Sequence, residues 1–140
     1  MREIRAGLDG LQRVVEAMRE EISSDAVISL KGDLAAGKTT LAQAIASESG
    51  SKESVTSPTF SLQHSYGESL HHYDLYRIDF EELVRLGLLE EFERPGWHLV
   101  EWANDRLKEF LLHAGYPLWE VEILPDREGE RIYRIGPLDA

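Results

Sequence analysis

The chain has 140 residues, and its 26 Asp and Glu outnumber its 15 Lys and Arg, which gives a formal net charge of −11 at pH 7. A charge of this sign repels a phosphate backbone and argues against tight binding to nucleic acid without a partner protein. The chain has no cysteine and no apolar run that approaches the roughly 18 residues of a membrane span, so disulfides, thiolate metal sites and membrane insertion are excluded. We expect one cytoplasmic domain over residues 1–140.

Helical and strand patterns alternate in the first part of the chain. Apolar residues recur at three- and four-residue steps over residues 8–22, which predicts a helix with one buried face. The β-branched run 26–30 predicts a buried strand, and a glycine-rich turn at 32–37 leads into a predicted helix at 39–47. A short strand is predicted at Val55 within the polar loop that follows.

The rest of the chain is predicted to add two helices and several strands that pair locally. These elements are, in chain order, strands 59–64 and 69–76 around a turn at Gly67, helix 81–89, strand 97–102, helix 106–113, and strands 119–124 and 131–135. Strands and helices that alternate early and give way to hairpins predict an α/β fold with a mixed sheet and a C-terminal antiparallel hairpin.

A phosphate-binding motif lies between the first strand and the second helix. Residues 32–39 have the sequence GDLAAGKT and match G-x-x-x-x-G-K-[ST] without mismatch. In such a loop the backbone N–H groups point at phosphates, the Lys38 ammonium reaches the β- and γ-phosphate oxygens, and the Thr39 hydroxyl can ligate Mg²⁺. The alternative, a glycine-rich turn with a chance lysine, is disfavoured because both flanking elements match. The residues predicted to hold the nucleotide are Leu34, Ala35, Ala36, Gly37, Lys38, Thr39 and Thr40.

A magnesium–nucleotide site also needs a carboxylate at the end of a neighbouring strand. Asp74 ends the strand-like run LHHYD, and Glu101 ends the run WHLVE. Each acid has a simpler interpretation as a strand cap or a solvent-exposed side chain. Patterning alone therefore leaves open which of them contacts a metal.

Two further features have weaker interpretations. Pro58 stiffens the segment Ser57-Pro58-Thr59-Phe60 and presents the Thr59 hydroxyl as a γ-phosphate switch residue would be presented, although a plain junction between loop and strand has the same sequence. The strand-like segments also contain histidines that lack the paired spacing of a zinc site, so we expect structural or surface roles for them. They are His64, His71, His72 and His98.

Four sequence blocks together resemble the TsaE family, the P-loop ATPases of bacterial tRNA threonylcarbamoyladenosine biosynthesis. The blocks are residues 32–40, residues 57–60, the segment 72–77 (HYDLYR) and Glu101-Trp102, in this order and at familiar distances. With the element order, the resemblance implies a P-loop NTPase-like three-layer sandwich with a mixed, mostly parallel sheet.

The resemblance also assigns roles to individual residues. It implies that Thr39 and Glu101 ligate Mg²⁺, and that Lys38 and the loop amides hold the phosphates of ATP. It implies that Asp74 orients the attacking water or a metal-bound water, and that Thr59 faces the γ-phosphate. Two more residues are implied to lie near the nucleotide, the second by a looser alignment: Trp102 and Arg131.

The family's function implies a protein that works with partners. It implies weak ATP hydrolysis by the chain alone, and action together with a threonylcarbamoyl transferase subunit and its shorter paralogue. That complex modifies an adenosine beside the tRNA anticodon, so contact of this chain with tRNA is expected only through the complex. Two other functions stay open from the residues alone: a small-molecule or nucleotide kinase, and a regulatory module that binds nucleotide without turnover.

Overall fold

The computed structural model describes residues 1–33, 37–48 and 62–138. Within these ranges, seven strands form one sheet. The strands are β1 (Arg2–Gly7), β2 (Ala26–Lys31), β3 (Gln63–Ser65), β4 (Leu70–Asp74), β5 (Trp97–Glu101), β6 (Leu118–Pro125) and β7 (Glu130–Pro137). The helices are α1 (Leu11–Glu21), α2 (Lys38–Glu48), α3 (Phe80–Arg85) and α4 (Asp105–His113), with 3₁₀ turns at Leu8–Gly10 and Leu88–Glu93.

The middle of the sheet is parallel and its two sides are antiparallel. The strand order is β1-β7-β6-β2-β5-β4-β3. Strand β2 runs parallel to both of its neighbours, β5 and β6, and β4 runs parallel to β5. The strands β6 and β7 form an antiparallel hairpin, and β1 and β3 add antiparallel edges. The predicted α/β fold with a mixed sheet and a C-terminal hairpin is confirmed.

Each face of the sheet is covered by its own pair of helices. Successive side chains of a strand point to opposite faces, so alternate residues enter different cores. Leu70 and Leu99 pack in the core that contains α1 and α2. Tyr73 and Val100 pack with the buried residues of α3 and α4 on the other face. This three-layer arrangement divides the residues of β4 and β5 between two environments by their position in the strand.

The N-terminal strand β1 is absent from the sequence prediction, which begins the first helix at residue 8. Among its inward-facing positions only Ala6 is fully buried, so the strand has little of the apolar alternation that identifies a half-buried strand. It forms because Arg2–Gly7 pairs along the edge of β7, where Glu3 accepts a hydrogen bond from Arg134 at 2.9 Å. Because this strand and a 3₁₀ turn occupy residues 2–10, helix α1 begins at Leu11 and not at the predicted residue 8.

The other predicted elements differ from the structure mainly at their ends. The strand expected at Val55 and residues 59–61 of the strand expected at 59–64 lie outside the described residues. The predicted helix 81–89 is divided into α3 and a 3₁₀ turn, with Gly87 at a φ of 73° between them. None of the described helices is both long and apolar enough to cross a membrane.

Two buried histidines stack on the α3/α4 face of the sheet. His71 and His98 are paired across β4 and β5, with ring centroids 4.5 Å apart. Both nitrogens of His98 are hydrogen-bonded, Nδ1 to the Tyr73 hydroxyl at 2.6 Å and Nε2 to the Arg94 carbonyl at 2.7 Å. Burial lowers the pKa of His98 to about 4, and it also lowers the pKa of His71. The pair is therefore a neutral part of the core.

This burial predicts a loss of stability in mild acid. The histidines of the unfolded chain titrate near pH 6.5, so the unfolded state binds more protons than the folded state between that pH and the folded pKa of His98, about 4. The free energy of unfolding must fall as the pH falls through this range, and we expect His98 alone to account for about 2 kcal/mol between pH 7 and pH 5. Urea unfolding of the wild type and of His98→Gln, which cannot titrate, measures this. The wild type should lose more stability than the variant; parallel pH profiles would contradict the assignment.

Candidate functional site

The candidate site lies at the edge of the sheet where the parallel strands end. Because β2, β4, β5 and β6 are parallel, their carboxyl ends meet at this edge, which is where open α/β sheets bind ligands. The chain leaves β2 at Lys31 and begins α2 at Lys38. Gly37 precedes the helix with a φ of 99°, a conformation that favours glycine. The amino terminus of α2 lies beside the ends of the parallel strands, where Thr39 hydrogen-bonds to Glu101 at the end of β5.

Lys38 is a buried cation at this edge. Its side chain is only 3% exposed, and its Nζ donates a hydrogen bond to the Gly32 carbonyl at 2.8 Å. Burial lowers the pKa of the Lys38 ammonium. Three carboxylates oppose this shift, those of Glu101, Asp74 and Asp33 in decreasing order. A cation that is held away from water in this way interacts strongly with an anion that enters beside it.

The two candidate acids lie side by side, and Glu101 hydrogen-bonds to the helix. Asp74 and Glu101 are register partners at the ends of β4 and β5. Thr39, in the first turn of α2, donates its hydroxyl hydrogen to Oε2 of Glu101 at 3.3 Å. Asp74 accepts a hydrogen bond from the Tyr76 backbone N–H at 3.1 Å. The carboxylate next to the Thr39 hydroxyl is therefore that of Glu101.

Glu101 has a second partner, which the sequence did not suggest. His72 Nε2 lies 2.5 Å from Glu101 Oε2, and both side chains are buried. His72 is two residues before Asp74 in β4, so both face the same side of the sheet as Glu101. The two-residue spacing between His72 and Asp74 in the sequence therefore identifies His72 as a neighbour of the site, once Asp74 is assigned to it.

Trp102, the residue after β5, packs its ring against the Lys38 ammonium. Lys38 Nζ lies 3.6 Å from the centre of the Trp102 ring, which is cation–π geometry, and the Tyr76 ring packs on Trp102 at 5.1 Å. Trp102 has a φ of 63°, a left-handed conformation that is rare for a bulky residue and costs about 1–3 kcal/mol. The strained turn after β5 directs the indole ring over the Lys38 ammonium.

A cleft of about 670 Å³ opens beside these residues. Lys38 and Trp102 line it together with residues at the ends of β2 and β6. Arg131, near the start of β7, also lines it. A volume of this size falls within the range of small-molecule sites. The cleft brings Lys38, Trp102 and Arg131 to one surface.

The structure describes most of the predicted site residues. Thr40 follows Thr39 in the first turn of α2. Four residues that the sequence assigns to the site lie outside the described ranges: Leu34, Ala35, Ala36 and Thr59. Their predicted contacts with phosphate stay predictions.

The Thr39–Glu101 pair fits Mg²⁺ by chemistry and by spacing. A hydroxyl and a carboxylate are oxygen ligands of the kind that Mg²⁺ prefers. Adjacent ligands in an octahedron with bonds of about 2.1 Å are about 3 Å apart, and the Thr39 and Glu101 oxygens are 3.3 Å apart. Among residues 1–33, 37–48 and 62–138, no three His, Cys, Asp or Glu side chains are grouped to hold a metal by themselves.

Comparisons with known proteins identify the family of the chain. The family model of the threonylcarbamoyl adenosine biosynthesis protein TsaE matches residues 7–133. The chain is 37% identical over 107 residues to the tRNA threonylcarbamoyladenosine biosynthesis protein TsaE of Bacillus subtilis, over 74% of this chain and 63% of the relative. It is 33% identical over 132 residues to the Aquifex aeolicus protein of the same name, over 87% of each.

A solved structure and a third relative extend the comparison. The crystal structure of "Bacillus subtilus YdiB" matches with a TM-score of 0.64 and 26% identity, over 94% of this chain and 83% of that one. The Nostoc TsaE protein is 40% identical over 92 residues, which are 61% of this chain and 57% of the relative. The matched segment thus spans less than two thirds of the Bacillus and Nostoc relatives. Because the family model matches nearly the whole chain, and the relatives and the fold agree with it, the chain belongs to the TsaE family.

Proposed function

We propose that this chain binds and hydrolyses Mg-ATP, and that this hydrolysis supports the biosynthesis of threonylcarbamoyladenosine in tRNA, at the position next to the anticodon. The observation that most supports the proposal is the buried Lys38 ammonium, which lines a cleft and precedes Thr39 of the Thr39–Glu101 pair. Family membership supports the biosynthetic role.

In this proposal Lys38 holds the β- and γ-phosphates. In the structure, Nζ donates a hydrogen bond to the Gly32 carbonyl and lies against the Trp102 ring. These two contacts hold the ammonium in place beside the phosphate-binding motif. A phosphate oxygen that enters the cleft gains a charge-assisted hydrogen bond without the entropic cost of ordering the lysine. Trp102 and Arg131 lie beside the nucleotide in the same cleft.

Thr39 and Glu101 hold the cation that accompanies the nucleotide. Bound there, Mg²⁺ would neutralise negative charge on the phosphate oxygens as the terminal bond breaks. Its other ligands would come from phosphate and water. Asp74 is the neighbouring carboxylate, and we assign it to the orientation of the attacking water or a metal-bound water. Thr59 is assigned to the γ-phosphate by its sequence block alone.

The proposed partners are the threonylcarbamoyl transferase subunit and its shorter paralogue. A net charge of −11 opposes direct contact with tRNA, so the nucleic acid is held by the complex rather than by this chain. We propose weak hydrolysis by the chain alone and faster hydrolysis in the complex, since a partner that covers the cleft would exclude bulk water from it. We propose a cytoplasmic location for the chain, together with these partners.

A reconstituted modification reaction tests the role. Transferase complex, threonylcarbamoyl donor and excess tRNA are mixed with the wild-type chain, with Lys38→Ala, or with Arg85→Ala, whose side chain is 72% exposed on α3. We expect the wild type and Arg85→Ala to support repeated modification of tRNA, and Lys38→Ala to support much less, because it lacks the ammonium assigned to the phosphates. Equal turnover with Lys38→Ala would contradict the proposal and favour a module that acts without hydrolysis.

A parallel incubation tests the kinase alternative. The chain is given Mg-ATP labelled in its γ-phosphate, together with each nucleoside monophosphate in turn. The proposal predicts label in free phosphate. Label in a nucleoside diphosphate would identify a kinase and overturn the assignment of an ATPase.

A further inference from the structure

His72 differs from the other two buried histidines of the sheet. His71 and His98 hydrogen-bond through both ring nitrogens, His71 to the Ser65 hydroxyl and the Pro95 carbonyl. His72 is as deeply buried as they are, but within the described part of the chain its ring makes one hydrogen bond, from Nε2 to Glu101. Its Nδ1 is buried without a hydrogen-bond partner among the described residues.

The unpaired nitrogen argues against a purely structural role. A carboxylate can only accept a hydrogen bond, so Nε2 of His72 carries the hydrogen and donates this bond to Glu101. The Nδ1 lone pair then loses its hydration without compensation, which costs about 1–3 kcal/mol. An apolar side chain in the same space would avoid that cost. The imidazole therefore fits a role that depends on its hydrogen bond to the Glu101 carboxylate.

That contact restricts how the Glu101 side chain can move. Among the described residues, Oε2 of Glu101 accepts hydrogen bonds from His72 at 2.5 Å and from Thr39 at 3.3 Å. Thr39 belongs to α2 and His72 to β4, so the carboxylate is held between the helix and the neighbouring strand. If Thr39 turned its hydroxyl oxygen to a metal, His72 would still hold Glu101 at the strand end.

We propose that His72 is a positioning residue, whose Nε2–H holds the Glu101 carboxylate beside the Thr39 hydroxyl and thereby raises the affinity of the site for Mg²⁺. The inference rests on the proposed function, in which Glu101 is a magnesium ligand. Hydrogen bonds to metal-binding carboxylates are typical of metal sites, and their loss lowers metal affinity or activity about 10- to 100-fold.

Two amide substitutions separate the hydrogen bond from the shape of the side chain. The Nε2 of glutamine is as many bonds from Cα as the Nε2 of histidine, whereas the Nδ2 of asparagine corresponds to Nδ1. His72→Gln therefore keeps a donor near Glu101, and His72→Asn removes it. Calorimetric titration of ATP at increasing Mg²⁺ measures the concentration of Mg²⁺ that half-maximally tightens ATP binding. This readout does not depend on turnover.

We expect His72→Asn to raise that Mg²⁺ concentration about 10- to 100-fold, and His72→Gln to restore it to within about threefold of wild type. Affinity for ATP without Mg²⁺ should be unchanged in both. His64→Asn, at the exposed position paired with His72 in β3, is the matched control and should behave as wild type. An unchanged Mg²⁺ dependence in a folded His72→Asn would overturn the inference, as would an equal loss in the Gln and Asn variants.

A measurement on the wild type keeps the inference testable if His72→Asn does not fold. Nitrogen-15 NMR of the imidazole rings reports which nitrogen carries the proton. We expect His72 to be protonated at Nε2 with Nδ1 bare, and its Nε2 resonance to move when Mg²⁺ and ADP are added together. Protonation at Nδ1 alone would contradict the inference. If the wild type bound ATP equally with and without Mg²⁺, the proposed function itself would fail, and that result is distinct from the others.

Discussion

Replacement of Lys38 by methionine is expected to reduce the affinity of the chain for Mg-ATP at least about a hundredfold. The variant keeps the aliphatic stem but removes the ammonium that bonds to the Gly32 carbonyl at 2.8 Å. Loss of a charge-assisted hydrogen bond to phosphate costs about 3 kcal/mol, which corresponds to roughly a hundredfold in affinity. The effect should be larger because Glu101, Asp74 and Asp33 would no longer be opposed by a buried cation. Calorimetric titration with Mg-ATP measures the loss.

The thermal stability of Lys38→Met shows whether a loss of Mg-ATP affinity is caused by unfolding. Burial disfavours the charged form of Lys38 and lowers its pKa, so methionine removes a desolvation cost together with the favourable contacts. We expect the thermal unfolding midpoint of Lys38→Met to stay within a few degrees of wild type. Arg85→Ala serves as the exposed control and should bind Mg-ATP normally. If a folded Lys38→Met bound Mg-ATP within threefold of wild type, the assignment of Lys38 to the nucleotide site would be wrong.

Glu101→Gln should abolish the dependence of nucleotide binding and turnover on Mg²⁺. The substitution keeps the size of the side chain at the end of β5 but removes the charge beside the Thr39 hydroxyl. Because a bound cation contributes several kcal/mol to phosphoryl transfer, we expect phosphate release to fall about a hundredfold or more. Glu109→Gln, at an exposed position of α4, is the matched control.

Two readouts check the assignment of Glu101. Phosphate release is followed across a range of Mg²⁺ concentrations, and ATP affinity is measured with and without the cation. The wild type and Glu109→Gln should bind ATP more tightly with Mg²⁺, whereas Glu101→Gln should bind it equally in both conditions. The metal assignment would be wrong if Glu101→Gln retained the Mg²⁺ dependence of the wild type.

The residues of the phosphate-binding motif could be predicted because they are close together in the sequence. Lys38 and Thr39 follow a buried strand and begin a helix, so local chemistry suffices. The choice between Asp74 and Glu101 depends instead on the order and register of strands far apart in the chain. β5 lies directly beside β2, which brings Glu101 to the Thr39 hydroxyl, and β4 lies beyond β5.

Other parts of the structure could not be predicted because they depend on tertiary contacts. The strand Arg2–Gly7 has few buried side chains and forms by pairing along β7. The role of His72 depends on a buried contact with a residue in a different strand. Trp102 adopts a left-handed backbone conformation that its residue type disfavours, in a turn that directs its ring over Lys38. Such a violation of local preference is expected near a functional site.

The measurement that tests the account most directly is steady-state release of phosphate from Mg-ATP by the purified chain, alone and with the transferase subunit and its shorter paralogue. Lys38→Ala is measured beside it. We predict slow release by the chain alone, faster release with both partners, and none above background in the variant under either condition. Absence of Lys38-dependent release both alone and in the complex would contradict the proposal that this site hydrolyses ATP.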